Sequence, residues 1–246
     1  MSQNEELNNL NLYPKAYLSF LDDWECESFG DWDFLPADSV GEKKNQLKSM
    51  YPDRMLVPFA EKQNKKEMAC FENGKKVIVV DSQTLSMLRP NTALDDVWAW
   101  MHFVVEEIRT DCDSIEGCGS CPCYEGVPDH KTGEQYQGIK YPVAYTCLLK
   151  RQITDFGIWY LLPESRIQGK KAGLESRYNR KLVPFAERND NDDVACFECF
   201  EGSKVKIVHD WASRGWEQRD VLDDFWAWLH FAVDETKTIT DDDLPE

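Results

Sequence analysis

Leu56-Val57-Pro58-Phe59-Ala60-Glu61 returns unchanged as Leu182-Val183-Pro184-Phe185-Ala186-Glu187. That repetition decides how the chain is built. Upstream, Tyr13-Pro14 and Ala16-Tyr17 recur as Tyr141-Pro142 and Ala144-Tyr145. Phe29-Gly30-Asp31-Trp32 with Leu35-Pro36 recurs as Phe156-Gly157-Ile158-Trp159 with Leu162-Pro163. Downstream, Ala69-Cys70-Phe71-Glu72 recurs as Ala195-Cys196-Phe197-Glu198. Ile78-Val79-Val80-Asp81 recurs as Ile207-Val208-His209-Asp210. Residues 93 to 108 match residues 221 to 236 at ten of sixteen positions, and the separation stays between 126 and 129 throughout. Order preserved over this length marks a tandem duplication. The expected organisation is a first repeat over 10–109, a Cys-rich linker over 110–138, a second repeat over 139–238 and an acidic tail over 239–246.

Each copy carries the same plan. The Tyr-Pro pairs open a short helix, because proline suits a first turn. The segments ending in Leu-Pro read as a short strand and its exit. A polar stretch with Leu47 and Tyr51, or Leu174 and Tyr178, reads as a second short helix. Three apolar runs follow, over 55–60, 68–72 and 77–81, and again over 182–186, 194–200 and 205–209. Turn-forming stretches separate the last two, as in an antiparallel meander. The closing element is an amphipathic helix. Leu94, Val97, Trp98, Met101 and Val105 share one face, as do Leu222, Phe225, Trp226, Leu229 and Val233. Thr92 and Asp220 are placed as its N-caps, with Asp95 and Asp223 three residues on. The fold class expected is therefore α+β, with two similar domains. Each has helices packed on an antiparallel sheet and a C-terminal amphipathic helix. Trp100 with Phe103, and Trp228 with Phe231, lie off the main helical face. They either line a contact between the copies or are covered by their own domain.

Forty-five acidic against 28 basic residues give a net charge of −17. Such a chain repels nucleic-acid backbone and anionic membrane, and favours a basic partner. Residues 1–10 are polar and acidic, unlike a signal peptide, and no run of about 18 apolar residues exists to span a membrane. The expected location is cytoplasmic, with neither nucleic acid nor membrane as partner.

The ordered set of motifs resembles the SUKH superfamily, which includes the domain of a yeast cell-wall assembly regulator and bacterial immunity proteins. The set runs Tyr-Pro, Phe-Gly-x-Trp before Leu-Pro, Leu-Val-Pro-Phe-Ala, an acidic loop, Ala-Cys-Phe-Glu, a strand ending in Asp and a Trp-containing helix. The resemblance covers both repeats. It implies an α+β domain without catalytic residues that binds protein, its bacterial members neutralising toxins, often nucleases. The second repeat is the more typical, with Asp192-Asp193 and the run from His209 to Gln218 containing Gly215-Trp216-Glu217. The first has Lys65-Lys66 and Ser82 to Leu85 in those places.

No enzyme constellation stands out. Glycine loops for phosphate, Gly-x-Ser-x-Gly and His-Glu-x-x-His are missing. His209 beside Asp210 could suit acid–base work, but strand neighbours face opposite ways. Cys70 and Cys196, on matched apolar strands, read as small hydrophobes. In the linker, Cys112, Cys118, Cys121 and Cys123 have spacing suited to a structural zinc ion. A disulfide and a plain thiol loop are the alternatives. The reading is a non-enzymatic protein-binding module, an immunity protein that neutralises a basic nuclease-type toxin by direct binding. A regulatory or scaffold protein, or an enzyme with an unrecognised site, are the alternatives. Trp211, Arg214, Trp216 and Asp193 are expected to border the partner site, because Trp and Arg dominate interface energetics and acidic side chains steer a basic partner. The competing expectation puts the tryptophans in the core, since tryptophan is mostly buried.

Overall fold

In the computed structural model the described residues are 12–24, 27–62, 66–82, 93–113, 142–150, 153–198, 201 and 203–242. They form an α+β chain divided into two compact units, one holding a five-stranded and the other a six-stranded antiparallel sheet.

The first repeat runs α1 (Lys15–Trp24), β1 (Ser28–Phe29), β2 (Trp32–Phe34), α2 (Ala37–Met50), β3 (Leu56–Lys62), β4 (Glu67–Glu72), β5 (Lys76–Asp81) and α3 (Val97–Asp113). Its strands lie in the sheet in chain order, β1 to β5. The second runs α4 (Val143–Lys150), β6 (Asp155–Phe156), β7 (Trp159–Leu161), α5 (Glu164–Tyr178), β8 (Leu182–Arg188), β9 (Asp193–Glu198), β10 (Val205–His209), β11 (Gln218–Leu222) and α6 (Phe225–Asp242). Its sheet keeps the same order and adds β11 at the edge.

The repeated Leu-Val-Pro-Phe-Ala segment is an inner strand in both sheets, where a proline would break the ladder. The ladder shifts register between Pro58 and Ala60, and between Pro184 and Ala186. A bulge there absorbs the missing N–H. It also turns the carbonyls of Phe59 and Phe185 to accept the N–H of Leu35 and Leu162, both at 2.8 Å. The same phenylalanines centre the cores. Phe59 lies 4.5 Å from Phe71 and 5.0 Å from Trp100 between ring centroids. Phe185 lies 4.4 Å from Phe197 and 4.9 Å from Trp228. Trp100 and Trp228 are wholly buried in these clusters, each against aromatic rings of its own repeat.

The opposite faces of the sheets hold a second core. There Leu47 and Tyr51 pack on Met68, Cys70 and Val80, and Leu174 and Tyr178 pack on Val194, Cys196 and Val208. Helices thus cover both faces. Burial of Cys70 and Cys196 raises their thiols well above the usual range, as for inert small hydrophobes.

Three local readings are corrected. The Phe-Gly-x-Trp motif is a hairpin rather than the approach to a single strand, with Phe29 paired to Trp32 and Phe156 to Trp159. Gly30 and Gly157 take left-handed backbone, φ 65° and 80°, at its turn. The closing helices begin later than expected. Asp96 and Asp224 are the caps, each accepting the N–H three residues on, at 2.8 Å. Asp220 lies in β11 instead, and Thr92 falls outside the described residues.

Candidate functional site

Within the run from His209 to Gln218, residues 210–217 are a hairpin connection leading from β10 into β11. It is tied down throughout. The N–H of His209 donates to the carbonyl of Glu217 at 2.8 Å, and that of Asp210 to Asp192 at 2.8 Å. The Tyr178 hydroxyl donates to the carbonyl of His209 at 3.1 Å. At the far end, the N–H of Gly215 donates to the Glu217 carboxylate at 2.6 Å. Glu217, itself buried, accepts from Arg180 at 3.3 Å. Arg180 also grips Glu198 through Nη2 and Nε, at 2.7 and 2.9 Å. The Arg180 hydrogen bond holds the Glu198 carboxyl below its ordinary range.

Under the first half of the connection lies Asp210, 2% exposed. It pairs with Arg177 and, at 3.5 Å, with Lys170, both from α5. Two cations and a backbone donor make burial of that carboxylate tolerable. Asp210 Oδ1 accepts the N–H of Trp211 at 3.1 Å. Lys170 also reaches Glu187 at 3.0 Å, and Arg166 and the Tyr160 hydroxyl contact the same carboxylate. Burial works to raise the pKa of Glu187, but these donors outweigh it and hold it low.

From this anchored base two large apolar side chains point to solvent. Trp211 is 71% exposed and Trp216 81%. The expectation that they plug the core is overturned by this exposure. Trp211 has φ 70°, a left-handed backbone costly for a bulky residue. Its indole is stacked by the Arg177 guanidinium, 4.2 Å from the ring centroid. Arg214 is exposed in the same connection. Asp193 is half-buried, with its Oδ1 2.6 Å from His209 Nδ1. The exposed acid beside Trp211 is Asp192, and it makes no ion pair with the described residues. His209 and Asp210 face opposite ways, one towards Asp193 and the other towards α5.

The first repeat keeps part of this base and none of its crown. Lys43 still pairs with Glu61. Met50 stands where Arg177 does, and Ser82 where Trp211 does. The residues sequence reasoning missed are Lys170 and Arg177 on α5, Arg180 in the connection after it and Glu187 on β8, charged groups that ordinarily read as solvated. Their one available signal is that Arg177 falls three residues after Leu174, on the buried side of α5.

Of the linker cysteines, Cys112 is buried at the end of α3, and Cys118, Cys121 and Cys123 lie outside the described residues. Among the described residues no group of three or more His, Cys, Asp or Glu could hold a metal ion. No described helix is long and apolar enough to cross a membrane. No family model, curated protein or solved structure matches the chain.

Proposed function

We propose that the chain is a non-enzymatic protein-binding module of the SUKH type, an immunity protein that neutralises a basic toxin by covering it. The observation that carries this reading is the pair of exposed tryptophans on a connection whose backbone, Asp210 and Glu217 are engaged within the fold. Exposed tryptophans on a rigid base are what interface hot spots look like before the partner arrives. A pre-ordered loop loses little entropy on binding. The net charge of −17 adds long-range attraction for a positively charged partner. Trp211 and Trp216 form the contact, Arg214 and Asp193 border it, and the exposed Asp192 adds steering.

Paired baits test it. The wild-type chain and its Trp216→Ala variant are used to capture proteins from the native host. The expected result is a basic protein held by the wild type and lost by the variant, toxic when expressed alone and relieved by the chain. Equal capture by both baits would remove the tryptophan connection from the interface. A captured partner that is harmless alone would favour the regulatory or scaffold reading.

A further inference from the structure

We infer that the tryptophan connection of the second repeat takes an arginine-bearing segment of its partner, with the guanidinium stacked on Trp216. This rests on the protein-binding reading above and adds the chemistry of what is bound. Trp216 is 81% exposed and makes no ring or cation contact with the described residues, so its indole faces are open. Trp211 has one face on Arg177, which shows the same indole–guanidinium chemistry already in use within the site.

Acid groups not committed to ion pairs lie close by. Asp192 is joined to the connection by the 2.8 Å hydrogen bond from Asp210, and Asp220 lies on β11. Both are exposed and make no ion pair with the described residues. A planar, weakly hydrated guanidinium can stack on an indole and hydrogen-bond a carboxylate at once. An ammonium holds its water and acts as a point charge. An acidic surface alone would bind arginine and lysine alike; the open indole of Trp216 favours arginine. The first repeat lacks the feature, with Ser82 at the place of Trp211.

Against this stand two exposed cations, Arg219 on β11 and, in the connection itself, Arg214. Arg214 supplies the sharpest test. The full chain is titrated with an oligo-arginine peptide and an oligo-lysine peptide of equal length, at near-physiological salt, followed by indole fluorescence. The expected result is binding of the arginine peptide about threefold to fivefold tighter, the size of a solvent-exposed cation–π contact. Trp216→Ala should abolish that preference, Trp216→Phe should keep part of it, and Arg214→Ala should tighten binding by removing a like charge. Circular dichroism checks that the variants are folded. Equal binding of the two peptides, binding of neither, or weaker binding in Arg214→Ala would each overturn the inference. Loss of the arginine preference alongside tryptophan-dependent capture of the native partner would sink this inference alone and leave the protein-binding reading standing.

Discussion

The guanidinium of Arg177 lies 4.2 Å from the ring centroid of Trp211 while also pairing with Asp210, whose carboxylate accepts the Trp211 N–H. One cation thus supports the backbone and the side chain of the same exposed residue. Arg177→Met installs the residue the first repeat has at this place. It should leave Asp210 with Lys170 as its remaining cation and destabilise the second repeat by about 2–4 kcal/mol, towards the cost of breaking a buried pair. Urea unfolding measures this. A loss under about 0.5 kcal/mol would mean the pair is a solvated surface contact.

Trp211→Gly should behave differently. The left-handed φ of 70° suits glycine, and the indole it deletes is exposed. The variant is expected to be at least as stable as wild type while losing partner capture. Marked destabilisation would show that the Arg177 stack outweighs the backbone strain.

Trp216→Ala should leave stability within about 0.5 kcal/mol of wild type, as for surface substitutions, and weaken partner binding by about 2 kcal/mol if Trp216 is a hot spot. Destabilisation of about 3 kcal/mol or more is the signature of a buried aromatic and would contradict its exposure.

Much of the fold was legible because burial leaves a pattern. The runs at 56–60 and 182–186 are apolar since their strands are covered on both faces, and the repeat fixed where each run belongs. β11 was not legible. Gln218, Arg219, Asp220 and Val221 are all exposed, so no face imposes an alternation, and the strand is held by its pairing with β10. The helix caps were misplaced for the same reason: Asp220 suits a cap, but the ladder claims it. At the site, tryptophan's usual burial argued for the core, and what reverses it is the anchoring of a connection by α5. The pairing of Lys170 and Arg177 with Asp210 depends on how α5 lies over the sheet, which no local spacing records.

The linker cysteines keep their expectation of a single structural zinc ion held by Cys112, Cys118, Cys121 and Cys123. Protein purified without chelator should contain close to one equivalent of zinc, lost on substitution of Cys118 and Cys121 together. Metal below about a tenth of an equivalent would exclude a site of ordinary structural affinity.

Gly157 is a point where the hairpin and the closing helix leave no room. A Cβ there would sit 2.4 Å from Thr236 Oγ1, and its φ of 80° disfavours any side chain. Thr236 is committed, accepting from the Ile158 N–H at 3.2 Å and donating to the carbonyl of Ala232 at 2.8 Å. Gly157→Ala should therefore cost about 2–4 kcal/mol through overpacking and strain. Adding Thr236→Ala should recover part of that, making the double variant more stable than the sum of the singles. Strict additivity in urea unfolding would show that the two positions do not meet.

Acid should loosen the second repeat through its engaged carboxylates. The Arg180 hydrogen bond lowers the pKa of Glu198. Glu217 is lowered too, its burial outweighed by backbone donors and Arg180. Each has an ordinary value of 4.5. A depressed folded-state pKa gives stability that is complete above that value and drains away as pH falls through the folded one. Glu235 runs the opposite way, because burial raises it, so the Arg180 contribution must be isolated by difference. Arg180→Met should cost about 2–3 kcal/mol near pH 7, since truncating one partner leaves two engaged carboxylates without their cation; the partial exposure of the group keeps this below the fully buried case. The gap between variant and wild type should then narrow as pH falls below about 4.5, where protonated carboxyls no longer need the guanidinium. Unfolding free energies at a series of pH values read the gap directly. A gap that stays constant through the acid range would mean Arg180 holds the connection by packing, with its charge contributing nothing.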